Sequence, residues 1–145
     1  MKALILFYSL DGNSRRHATK ISYKNTGKTI EITERKKRTK ASAFTSGVIA
    51  AMKGASTEIC PIHEEFSAYE SVVVIGPVWA GQPAPAVNSI IEAIPAGTKI
   101  YLYLVSKSGQ ADLTKITGRV KARGLELIGS KVVAEANDPV LVLPE

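Results

Sequence analysis

The chain has 145 residues, 45% apolar and 22% charged, with 19 basic against 13 acidic side chains and a formal net charge of +6. That length suits a single domain over residues 1–145, and the apolar fraction excludes wholesale disorder. The one cysteine, Cys60, excludes an internal disulfide framework and suits a reducing compartment, so the expected location is cytoplasmic.

The apolar runs, residues 72–75 for example, fall far short of the roughly 18 residues that span a bilayer, and no membrane role is expected. The opening Met1-Lys2-Ala3-Leu4-Ile5-Leu6-Phe7-Tyr8 is too short in its apolar part for a signal peptide and reads as a strand. Five of the basic residues, Arg35, Lys36, Lys37, Arg38 and Lys40, form one run, and the remaining 14 nearly balance the 13 acidic side chains. The charge therefore describes an almost neutral domain with one basic patch.

Residues 3–8 are continuously apolar, the mark of a strand buried on both faces of a parallel sheet. Ser9-Leu10-Asp11-Gly12-Asn13-Ser14 turns the chain into a polar helix over 14–24, with Ala18 and Ile21 inward and Asn25-Thr26-Gly27 as its glycine stop. Residues 29–33 alternate, Ile30 and Ile32 on one face, as in a strand near a sheet edge. Ala41, Phe44, Val48, Ala51 and Met52 recur at helical spacing, predicting an amphipathic helix over 41–52.

An irregular connection leads to a second apolar strand at 71–75, which Gly76-Pro77 ends. A loop over 78–84 follows, and Pro85 opens a helix with Val87, Ile90, Ile91 and Ile94 inward. A third buried strand spans 99–105. Leu113, Ile116 and Val120 mark a helix closed by Gly124, and a last strand spans 125–135. Asn137-Asp138-Pro139 precedes a short apolar tail, with no final helix.

Strands alternating with helices predict an α/β fold: a three-layer α/β/α domain around a five-stranded parallel sheet. The edge-like second strand and the greasy first and third suit the order 2-1-3-4-5. In that order the connections leaving strands one and three run to opposite faces, and a ligand crevice opens at their carboxyl ends.

The loops leaving those two strands are the richest in special residues. In the first, Gly12 permits close backbone approach while Ser9, Asn13 and Ser14 offer donors ahead of a helix N-terminus, as a phosphate requires; helix capping alone uses the same residues. In the second, Gly76-Pro77-Val78-Trp79-Ala80-Gly81-Gln82-Pro83-Ala84-Pro85, the only tryptophan sits in a rigid loop, either as a stacking surface or as a lid on the core.

Together these loops resemble the flavodoxin family. Its Ser/Thr-x-Thr-Gly-Asn-Thr phosphate loop is matched at residues 9–14, and its Pro-x-Trp-x-Gly segment at Pro77, Val78, Trp79, Ala80 and Gly81, over a resemblance covering residues 1 to about 135. The resemblance implies non-covalent flavin mononucleotide (FMN), with Ser9, Asp11, Gly12, Asn13 and Ser14 at the phosphate. It implies that residues 77–81 border the isoalloxazine ring, and that Ser106 and Gly109, in a loosely matching loop, complete the site. It implies electron transfer as a carrier or a small reductase, with a redox partner protein or NAD(P)H, no catalytic side chain and a homodimer left open.

Three features depart from the family. Asp11 stands where threonine is usual, the closing helix is missing, and the chain is basic where flavodoxins are acidic. The alternative is therefore a flavodoxin-like binding module that has lost FMN through Asp11.

Other signals are set aside. Gly27-Lys28-Thr29 lacks the earlier glycine of a P-loop, since Ser22 holds its place. Cys60-Pro61-Ile62-His63 offers too few metal ligands, and Cys60 reads as a buried or half-buried thiol. The run 35–40 has no interleaved aromatics, so no nucleic-acid partner is expected; it reads as a solvated face, or as a patch near the flavin crevice that attracts an anionic partner or a pyridine-nucleotide phosphate. No exposed apolar face is identifiable.

Overall fold

The computed structural model describes residues 2–25 and 27–144, the side chains of 23–25 excepted. Strand β1 (Ala3–Phe7) has every residue buried, as its unbroken apolar run requires. It pairs in parallel with the edge strand β2 (Lys28–Glu31) on one side and with β3 (Ser71–Trp79) on the other. Strand β5 (Lys99–Ser106) lies parallel to β3, and β6 (Glu126–Ala134) completes the sheet beyond it.

The main-sheet order is β2-β1-β3-β5-β6, with the two-residue β4 (Gln82–Pro83) paired to β3 outside that path. This is the flavodoxin-like α/β order, its strands counted one higher after the small β4.

Alternation along the strands separates two cores. Leu4, Leu6, Val72, Val74, Leu102 and Leu104 pack against helix α3 (Pro85–Ala93) and helix α4 (Thr114–Ala122). Ala3, Ile5, Phe7, Val73, Ile75 and Tyr103 face Ala18 and Ile21 of helix α1 (Asn13–Asn25), together with Leu141. The tail after β6 thus supplies Leu141, and Leu143 more peripherally, to this second core. Among the described residues no helix is long and apolar enough to cross a membrane.

Several expectations are corrected. Gly76-Pro77 does not end the second apolar strand: β3 runs on to Trp79 and folds back through β4, pairing Val78 with Pro83 and Trp79 with Gln82. The two-residue turn has positive φ at both Ala80 (51°) and Gly81 (80°), as a type I′ hairpin requires. Alanine is an unusual choice there, which hid the hairpin within an apparent loop. The stop at Asn25-Thr26-Gly27 lies partly outside the described residues, but Gly27 has a second reason to be glycine: a Cβ would stand 2.1 Å from the Ala3 carbonyl oxygen.

The helical segment α2 (residues 40–52) is broken by a π turn at Ala43–Gly47, where the Val48 amide reaches the Ala43 carbonyl. Its buried face is Ala43, Gly47 and Ala51, whereas Phe44 and Met52, expected inside, are exposed. Small residues win because this helix presses its backbone onto its neighbours. Cys60 is exposed rather than buried, held at the protein edge by its amide donating to the Thr33 carbonyl.

Gly76 lies where α3 crosses β3, and a Cβ there would meet Val87 Cγ2 at 2.2 Å. Gly76→Ala is expected to lower stability by about 1–3 kcal/mol through overpacking. Added Val87→Ala should recover part of the loss, a coupling that urea unfolding of the single and double variants measures.

Candidate functional site

The crossover from β1 runs through α1 on one face of the sheet, and that from β3 runs through α3 on the other. Between their starting points lies a crevice of about 440 Å³, within the range of small-molecule sites. It is lined from both loops, by Asp11, Asn13 and Ser14 after β1 and by Pro77, Val78, Trp79, Ala80 and Gly81 at the hairpin; Ser106 borders it at the end of β5. Ser9, Gly12 and Gly109 do not line it, but each shapes a lining turn. The Gly12 amide donates to Ser9 Oγ at 3.0 Å, and the Gly109 amide to Ser106 Oγ at 2.7 Å. Gly12 takes φ 98°, which a side-chain-bearing residue rarely adopts.

The structure also brings Phe44, Val48 and Glu135, which the sequence did not place at the crevice, beside Leu10, Lys40 and Lys107 from segments that it singled out. Leu10, Phe44 and Val48 add apolar wall, Lys40 and Lys107 add cations, and Glu135 adds a second carboxylate. Phe44 and Val48 were legible only as helix-core positions, because the π turn that redirects them has no sequence mark of its own. Glu135 joins two loops: its amide donates to the Ser106 carbonyl at 2.8 Å, and its carboxylate accepts from the Asn13 side-chain amide at 3.1 Å.

The glycine turn is already furnished with an anion. Asp11 Oδ1 accepts the Asn13 backbone amide at 3.1 Å and Oδ2 accepts the Asn13 side-chain amide at 3.2 Å. The carboxylate thus acts as a helix-start cap, and it engages donors that an incoming phosphate would need. Ser14 is buried at the crevice wall.

Trp79 is held from several directions. The Tyr8 ring meets it edge-on, with centroids 6.1 Å apart and planes at 71°. The Arg38 guanidinium lies over the indole, 5.8 Å from the ring centroid, a cation–π geometry. Gly47 allows α2 to press in; a Cβ there would meet Trp79 Cζ3 at 3.0 Å. Trp79 is therefore both packed on the core and part of the crevice wall.

Behind it stands Glu34, whose side chain is only 3% exposed. Arg38 Nε donates to its carboxylate at 2.8 Å and the Tyr8 hydroxyl donates to its other oxygen. Burial, and then the bond to Glu34, push the Tyr8 phenol far up, so it remains a donor. Arg38 is thus no part of a solvated face, and Arg35 is also engaged, with Glu58 at 3.0 Å. Lys36, Lys37 and Lys40 are the exposed remainder of the run.

His17 is fully buried beneath the site, with Nδ1 2.8 Å from the Tyr103 hydroxyl and Nε2 3.1 Å from the Glu135 carbonyl. Nε2 also lies 3.0 Å from the Arg16 guanidinium, which only donates and also bonds the Glu135 carbonyl, so the ring nitrogen stands between a donor and an acceptor. Burial is the main cause holding the imidazole below its usual range, and burial likewise pushes Tyr103 up to about 12. Among the described residues no three His, Cys, Asp or Glu side chains are grouped to hold a metal.

Two outcomes follow from these networks. Arg38→Met would leave the buried Glu34 charge without its cation and should cost about 3 kcal/mol. Lys37→Met, one residue away on the surface, should stay within about 0.5 kcal/mol; equal losses in urea unfolding would contradict the buried pair. Because folding lowers the His17 pKa, its contribution is complete above the unfolded value of about 6.5 and is lost as pH falls toward the folded value. Unfolding midpoints between about pH 5 and 7 should therefore rise with pH, more steeply in the wild type than in His17→Gln.

No protein-family model matches the sequence, and no curated protein matches it. Solved structures do match in fold. The flavoprotein from Lactobacillus acidophilus, described in complex with FMN, superposes with TM-score 0.75 at 21% identity over 92% of this chain and 91% of that one. Its apo form, solved by NMR, gives 0.66 at 19% identity over 90% and 91%. The two-electron reduced flavodoxin of Megasphaera elsdenii gives 0.57 at 13% identity over 92% of this chain and 85% of its own. The strand order, the crossovers and these superpositions agree that the chain has the flavodoxin-like fold.

Proposed function

We propose that the protein binds FMN in the crevice and transfers electrons through it. What supports this most is the convergence of two distant turns, the Gly12 turn and the Trp79 hairpin, on one crevice at the carboxyl ends of adjacent strands, where open α/β sheets bind ligands. A protein of the same fold, the L. acidophilus flavoprotein, is described in complex with FMN. The flavin, when bound, supplies the redox chemistry.

The chain's own residues would do the holding. Trp79, Phe44, Val48 and Pro77 offer an apolar wall that excludes water from a planar ring. Trp79 is immobilised by Tyr8, Arg38 and the α2 backbone, which removes much of the ordering cost of binding. Ser14 lies at the start of α1, where the helix end favours an anion, and Lys40 and Lys107 add positive charge at the crevice. Exchange of electrons with a redox protein or NAD(P)H, a cytoplasmic location, and the absence of a nucleic-acid or membrane role belong to the same reading.

A second reading has an observation of its own. Asp11 already occupies the Asn13 donors, and its charge opposes a phosphate, so the chain would be a binding module of this fold without flavin.

Titration of the purified chain with FMN and with riboflavin, followed by flavin fluorescence, separates the two. The first reading expects quenching with FMN preferred over riboflavin. Asp11→Thr should then tighten FMN about tenfold, or about 1.4 kcal/mol, while Trp79→Ala weakens both ligands. No quenching in either wild type or Asp11→Thr would overturn it.

A further inference from the structure

Residues 35–57 carry six basic side chains and no acidic one. Arg35 and Arg38 are engaged with Glu58 and Glu34. The other four are exposed: Lys36, Lys37 and Lys40 before or at the start of α2, and Lys53 at its end. Between these basic ends the helix shows Phe44, 73% exposed, with Ile49 and Met52, each 56% exposed.

All three lie on the solvent side of the segment. The π turn, with its i→i+5 bonding, inserts an extra residue between Phe44 and Ile49 relative to an α turn, and Met52 follows three residues later. The opposite face, Ala43, Gly47 and Ala51, is buried in the fold. An apolar centre with a charged rim is the pattern of a protein interface. The patch is also continuous with the candidate site, since Lys40 and Phe44 line the crevice itself.

We infer that α2 and its lysine flanks are a docking face for an acidic redox protein, which on binding would cover the crevice mouth. Charge selects the occupant. A second copy would set lysines against lysines. A nucleic acid would match the lysines but leave Ile49 and Met52 against a polyanion. An interfacial membrane helix needs a long apolar face, and this helix has three large exposed apolar residues with its opposite face committed to the core. An acidic protein satisfies both the cations and the apolar centre, and opposite charge would speed encounter. The inference deepens the electron-transfer reading and rests on it for the partner's redox character.

The test uses a plant-type [2Fe–2S] ferredoxin as the acidic probe, with calorimetric binding to the chain both without flavin and after FMN loading. Binding is expected to weaken at least about tenfold between about 20 and 200 mM salt. A triple Lys36→Glu, Lys37→Glu, Lys53→Glu variant should lose a similar factor, and Ile49→Ser with Met52→Ser a smaller one. FMN affinity should be unchanged in all of these, because none of these side chains lines the crevice.

Absent binding, salt-independent binding or an unaffected triple variant overturns the inference. So does tighter, variant-sensitive binding of duplex DNA or phosphatidylserine vesicles, or self-association abolished by the Ile49/Met52 pair. If the flavin-free chain binds the probe through these residues but FMN does not bind, the docking face stands and the flavin reading falls; FMN binding without probe binding gives the reverse.

Discussion

The constraint on which this molecule depends is the handedness of parallel crossovers. Each parallel crossover is right-handed, which fixes the face of the sheet its helix packs on once the direction of the step along the sheet is set. Because β2 lies on one side of β1 and β5 on the far side of β3, the helices leaving β1 and β3 are forced onto opposite faces. Their first turns separate, and a crevice opens between two buried strands whose backbones are locked in register. The site is thus a by-product of sheet order. Its loops are free to vary while their anchors, every residue of β1 and most of β3, are held in the core.

Within that frame the most specific device is electrostatic. Glu34 is a buried carboxylate that would be costly alone. Arg38 neutralises it, Tyr8 donates to it, and the guanidinium then lies against Trp79. The same two side chains that make the charge tolerable, Arg38 and Tyr8, also fix the indole, so the orientation of the crevice wall and the stability of the β1–α2 region are coupled. On the other face His17, Tyr103 and the Glu135 carbonyl form a second buried network under the opposite rim. The crevice is consequently walled by residues held in place before any ligand arrives, which lowers the entropic cost of binding.

The charges around the crevice are mixed. Two carboxylates, Asp11 and Glu135, line the crevice beside Asn13, and two cations, Lys40 and Lys107, line it as well. The lysines favour an anion by their field, while the Asp11 carboxylate opposes a phosphate at the glycine turn.

Much of the fold was legible in the sequence because burial on both faces of a parallel sheet demands unbroken apolar runs, and β1, β3 and β5 have them. The strand order followed from the contrast between those runs and the alternating β2. Ala18, Ile21 and the Val87–Ile94 stripe were legible by helical period for the same reason. The two crevice loops were visible as unusual glycine, proline and tryptophan placements.

What only the tertiary structure decided are relations between distant residues: that Arg38 leaves its basic run to neutralise Glu34, that His17 is buried on Tyr103, that a π turn exposes Phe44, and that Ala80 and Gly81 close a hairpin. Local sequence encodes period and propensity, but a buried charge pair or a helix rotated by one residue is set by partners far along the chain, and no window of neighbours contains them.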